Sequence, residues 1–105
     1  MSTYIMLNTF TEQGIRTIRD TTKRADAVRD LAKKFGVKER DVYWTHGNID
    51  VVAIFDAPDD ASITALALAI GANGNVRTQV LRALTRDEMT GVLGKLGNAK
   101  VAIPA

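Results

Sequence analysis

Two runs of strand-type residues, "VYWTH" at 42–46 and "IDVVAIFDA" at 49–57, are separated only by Gly47 and Asn48. Two residues are too few for a crossover, so the runs have to pair as an antiparallel hairpin. Glycine at the first central position supplies the positive φ of a type II′ turn. With that pair as the whole loop, His46 and Ile49 face each other, and the remaining side-chain directions follow by alternation. Val42, Trp44, His46, Ile49, Val51, Ala53 and Phe55 then share one face, which is the more apolar and suits a helix layer. Asp41, Tyr43, Thr45, Asp50, Val52, Ile54 and Asp56 share the other. His46 and Asp50 point to opposite sides, so this histidine and carboxylate do not form a dyad.

The hairpin sits between two strand–helix patterns. "TYIMLNTF" (3–10) reads as a first strand. A helical segment opens at Thr11 with Ile15 and Ile18, breaks at Asp20 to Thr22, and resumes from Lys23. There Ala25, Val28, Leu31, Ala32 and Phe35 recur at helical spacing, and Gly36 takes the C-cap position. Beyond the hairpin, Pro58 ends the strand and Asp59 or Asp60 caps a helix whose buried stripe is Ile63, Leu66, Ala67 and Ile70. "GANGN" (71–75) breaks that helix, and "VRTQVLRAL" (76–84) is a fourth strand. Thr85 and Glu88 form a capping box for a last helix carrying Met89, Val92, Leu93 and Leu96. The order β-α-β-β-α-β-α predicts an α+β, ferredoxin-like βαββαβ fold with a C-terminal helix. Its sheet is four-stranded and antiparallel, with the main helices on one face. A single domain is expected over 1–97, with a loosely held tail over 98–105.

Composition excludes several functions. Fourteen Lys and Arg against twelve acidic residues leave a net charge of +2, too small for a nucleic-acid surface, and no basic stripe is interleaved with aromatics. Without cysteine there is no disulfide or thiol nucleophile, and one histidine among scattered carboxylates has no metal-ligand spacing. No cofactor is therefore expected. The chain has neither a signal-peptide pattern nor an 18-residue apolar run, so a cytoplasmic protein with no membrane partner is expected. "GANGN" follows a helix and precedes a strand, the reverse of the order in phosphate-cradling loops.

The sheet face away from the helices is the remaining clue. Ile5 and Leu7 suit the helix side, which leaves Tyr4, Met6, Asn8 and Phe10 beside Tyr43, Val52 and Ile54 on the other. With strands about 4.8 Å apart and about 20 Å long, that face measures roughly 400 Å². This equals the largest apolar patch of a typical monomer, so a second copy related by a twofold axis is the expected cover. Arg77 and Arg82 lie an odd number of residues apart, so only one points into the space between sheets. Candidate ligand-binding residues on this mixed face are Asn8, Tyr43, Thr45, Asp50 and Arg82. The leading expectation is a homo-oligomeric small-molecule-binding module. The alternative is a cofactor-independent enzyme, of oxygenase or isomerase type, acting on a small aromatic or keto compound. His46 or Asp50 would be its base, with an arginine at the oxyanion. A third reading is an assembly subunit, resting on the apolar face alone. Asp50 also has a plainer use as a strand-start aspartate bonded to turn backbone.

Particular residues carry a family likeness. Gly47 with Asp50, then Ala57-Pro58-Asp59-Asp60, Gly74-Asn75-Val76-Arg77-Thr78 and Leu81-Arg82-Ala83 together resemble the GYD domain family, from about Thr3 to Leu93. The chain departs at the namesake tripeptide: Asn48 follows Gly47 and Ile49 stands where tyrosine would be, with Asp50 retained. The resemblance implies a member of the dimeric α+β barrel group with sheet-to-sheet pairing of subunits. It implies no reaction.

Overall fold

The computed structural model describes residues 1–100 and 102–104. Strand β1 (Ser2–Phe10) is followed by a short helix α1 (Glu12–Arg16), a 3-10 turn at Ile18–Asp20 and helix α2 (Thr21–Lys34). Strands β2 (Lys38–Trp44) and β3 (Val51–Ala57), helix α3 (Asp60–Ala72), strand β4 (Val76–Ala83) and helix α4 (Arg86–Leu96) complete the chain. The antiparallel sheet has the order β2-β3-β1-β4, as the ferredoxin-like reading requires. Among the described residues no helix is long and apolar enough to cross a membrane. The tail expected over 98–105 includes residues 101 and 105, which lie outside those described.

Caps form where the residue types place them. The Asp59 carboxylate accepts from the Ser62 N–H at 2.8 Å. Thr85 and Glu88 complete the capping box of α4. Asp20 precedes α2 but makes no side-chain cap, and that helix starts at Thr21 rather than Lys23. β2 starts at Lys38, four residues before the expected strand. Its charged opening, Lys38 to Asp41, hides the strand from a hydropathy reading, as is common on sheet edges. A bulge lies between Glu39 and Asp41, so Glu39 pairs with Phe55 while Asp41 pairs with Ile54.

The assignment of β1 faces is overturned. Met6 pairs with Ala53 and Tyr4 with Phe55, and all four are buried among Ile63, Leu66 and Ile70 of α3. Tyr4, Met6, Asn8 and Phe10 thus face the helices, and Ile5 and Leu7 face away beside Ile54 and Val52. Every position from 4 to 7 is apolar or aromatic, so alternation carries no signal there. Tyr4 and the long, unbranched Met6 fill the core, and the Tyr4 hydroxyl reaches the Asp60 carboxylate. The sheet's open face carries Ile5, Leu7, Val52, Ile54, Leu81 and Tyr43, the last 55% exposed.

α4 behaves differently from the other helices. None of its residues is buried, and Met89, Val92, Leu93 and Leu96 are all exposed. Its base is fixed by Arg82, which bridges Glu88 at 2.8 Å. That guanidinium and the Thr85 N–H hold the Glu88 carboxyl down at about 2, so it stays ionised at neutral pH.

Backbone contact locks α1 against the start of β4. A Cβ placed on Gly14 would lie 1.9 Å from the Asn75 carbonyl oxygen, whereas one on Gly91 in α4 would meet nothing within 4 Å. Gly14→Ala should therefore destabilise the protein by about 1–3 kcal/mol or more, as overpacking against rigid backbone does. Gly91→Ala should stabilise slightly, by up to about 1 kcal/mol of helix propensity. Urea unfolding of the two variants checks this contrast.

Candidate functional site

A cleft of about 160 Å³ opens between α2 and the helix side of the sheet. Residue size explains it. α3 presses Ile63, Leu66 and Ile70 onto the strands, but α2 presents Ala25 and Val28 above Ala53 and leaves space. Met6, Asn8, Phe10, Val42, Trp44, Val51 and Phe55 form the floor from three strands. Arg24, Asn73 and Asn75 also line the cleft. The Trp44 indole N–H donates to the Thr21 hydroxyl at 3.0 Å, tying the end of β2 to the start of α2.

Three polar groups at the cleft differ in how far they are already engaged. Arg24 donates to the Thr17 carbonyl and hydroxyl and to the Gly14 carbonyl, at 2.8, 2.9 and 3.1 Å. Its guanidinium is occupied in holding the link between α1 and α2. Glu39 enters the cleft through the bulge, and burial pushes its carboxyl above the usual range; nearby Arg29 draws it back and Asp26 adds to the rise. Asn8 is only 7% exposed. Its side-chain oxygen accepts from the Thr78 hydroxyl at 2.7 Å, while its amide nitrogen has no hydrogen-bond partner among the described residues.

The residues nominated from sequence do not converge. Asn8 lines this cleft, on the face opposite to the one expected. Tyr43 lies on the open face, paired with Val52. Thr45 is exposed in the hairpin loop, where its hydroxyl donates to the Ile49 carbonyl at 2.5 Å. Arg82 stands on the helix side at the other end of the sheet, over the Tyr4 ring at 5.7 Å. Arg77 is the arginine on the open face, paired with Thr9. Phe10, Arg24, Glu39 and Trp44 were missed as cleft residues. The sequence could have supplied Trp44 and Phe10 once β1 was turned over, but Glu39 depends on a bulge that no residue announces.

Asp50 takes the plainer use. Its carboxylate accepts from the Phe10 N–H at 2.8 Å, its own N–H donates to the Asn8 carbonyl at 3.0 Å, and its carbonyl accepts from the Thr45 N–H at 2.8 Å. Trp44 pairs with Val51, the register expected of a loop centred on Gly47-Asn48. The ladder nonetheless stops at Thr45 and Asp50, so the connection is wider than a two-residue turn, with Gly47 at φ 95°. His46 is exposed, and no His46–Asp50 hydrogen bond exists among the described residues. Neither proposed base lines the cleft. Among the described residues no three His, Asp or Glu side chains gather closely enough to hold a metal ion.

Asp50→Ala should cost about 1.5–3 kcal/mol, the range for a hydrogen bond to a charged group. Asp50→Asn should cost less, because an amide oxygen still accepts from the Phe10 N–H. Thermal unfolding separates the two variants; equal losses would mean that charge, rather than the bond, matters there.

The model of the GYD domain family matches residues 4–93, a span that takes in nearly all of β1 and α4 and everything between. No curated protein matches the chain. The resemblance carried by Gly47, Asp50 and the Ala57-Pro58-Asp59-Asp60 run thus extends over most of the folded unit, and the chain belongs to the GYD domain family.

Proposed function

We propose that this protein is a homodimeric small-molecule-binding module in which the sheet faces have separate tasks. The cleft beneath α2 receives the ligand, and the open face meets a second copy of the chain. The observation that carries the reading is the sheet's unequal cover: a partly filled cleft on one side and uncovered Ile5, Leu7, Val52, Ile54 and Leu81 on the other. This moves the ligand from the space between subunits, where the sequence suggested it, to the interior of each subunit. A small pocket with mostly apolar walls and a few placed polar groups suits selective binding of a small compound.

Area supports the second copy. The open face offers roughly 400 Å² from strand spacing and length, about half of the ~800 Å² that each partner buries in a stable interface. The exposed Leu84, Met89, Val92, Leu93 and Leu96 provide further apolar surface on the same chain. A twofold interface that engages both the open face and α4 approaches the required size.

Tyr43→Lys combined with Ile54→Lys should convert the dimer to a monomer, since both positions are on the open face and would bury uncompensated charge. Sedimentation velocity at micromolar concentration reads this directly; a wild-type monomer there would overturn the dimer.

Binding in the cleft has its own reporter, because the chain's one tryptophan, Trp44, lines it. Toluene should change Trp44 emission saturably. Ala25→Leu, which fills the cleft from α2, should weaken that response at least tenfold.

A further inference from the structure

We infer that the cleft takes a neutral, single-ring compound carrying a carbonyl oxygen, and that this oxygen accepts the free amide N–H of Asn8. The inference rests on the cleft being a ligand site and adds the chemical class of the ligand.

Size sets the first limit. A cleft of about 160 Å³ is close to the cavity of about 150 Å³ that holds benzene in an engineered protein, so one six-membered ring with a small substituent fits. The walls set the second. Phe10 and Trp44 come from two strands and present aromatic surface to the same space, with Phe55 enclosed in the adjoining core, which favours a flat ring in offset or edge contact.

Asn8 sets the third. Its side-chain oxygen is held by the Thr78 hydroxyl at 2.7 Å, which leaves the amide nitrogen as the free donor of a residue that lines the cleft. The residue is more than nine-tenths buried, and among the described residues nothing in the protein accepts from that nitrogen. Among the described residues no buried side-chain nitrogen or oxygen lacks a partner, so this nitrogen is reached by solvent; a ligand that covers it must bring an acceptor or leave it unmatched. A carbonyl oxygen meets that need without adding a donor of its own.

Charge sets the fourth. Arg24 is the only lysine or arginine among the lining residues, and its guanidinium is already bonded to Thr17 and Gly14. Glu39 contributes a carboxyl to the same cleft. An anionic ligand would enter beside a carboxyl, and the Arg24 donors that could grip it are already turned to neutral oxygens of Thr17 and Gly14, which disfavours carboxylates of the same ring size.

The test compares acetophenone, toluene and benzoate, titrated against the full-length protein at neutral pH with Trp44 emission as the readout. Acetophenone should bind at least tenfold more tightly than toluene, and benzoate more weakly than acetophenone. Asn8→Ala should reduce the acetophenone preference to less than threefold while leaving toluene affinity within twofold. Should that variant fail to fold, the wild-type Asn8 side-chain amide signal in a ¹H–¹⁵N spectrum serves instead. It should shift on adding acetophenone and stay in place with toluene. Equal binding of acetophenone and toluene would overturn the carbonyl assignment alone, as would tighter binding of benzoate or a stationary Asn8 signal. Failure of all three compounds to bind would overturn the cleft as a ligand site, and the inference with it.

Discussion

The hydrogen bonds of Asp50 organise one end of this sheet. One residue joins three strands there: its carboxylate holds the last N–H of β1, its N–H reaches the Asn8 carbonyl, and its carbonyl closes onto Thr45 beyond β2. These bonds fix where β1 lies against the hairpin, and hence which β1 side chains face α2. Asn8 and Phe10 lie on the segment so held, and both line the cleft. A residue that looks catalytic in the sequence therefore acts on the site indirectly, by aligning strands. A charge-assisted bond to backbone suits this use, being short and roughly twice as strong as a neutral one.

The order of elements was legible because each boundary carries its own chemistry. Pro58 and Asp59 stop a strand and cap a helix, Thr85 and Glu88 cap another, and the register around Gly47-Asn48 follows from counting. The faces of β1 were not legible, since Tyr4, Ile5, Met6 and Leu7 are all suited to burial. Once β1 is turned over, the nominated group divides: Asn8 goes to the cleft, Tyr43 stays on the open face, and Arg82 sits with Tyr4 and Glu88. Local pattern specifies an element; only pairing with its neighbours specifies what it faces.

The two sheet faces also differ in what they can tolerate. On the helix side, Met6, Phe55, Ile63 and Leu66 are fully enclosed, and packing there resists any change in volume. The cleft is the exception, a region where small side chains on α2 relieve that constraint. The open face carries partly exposed aliphatic side chains beside Tyr43 and Arg77, and at the aliphatic positions substitutions that keep an apolar surface should be absorbed easily.

The bulge in β2 decides more than the shape of an edge strand. As the chain is built, Glu39 pairs with Phe55 and faces the cleft, while Arg40 turns outward and meets Asp56 at 3.5 Å. In a regular ladder continuing from Asp41, the alternation would send Arg40 inward and Glu39 outward. The extra residue thus selects the sign of the charge offered at the cleft. A length change at this edge that restored the regular ladder would act as a polarity switch, exchanging a carboxylate for a guanidinium at the cleft with no change in its aromatic lining.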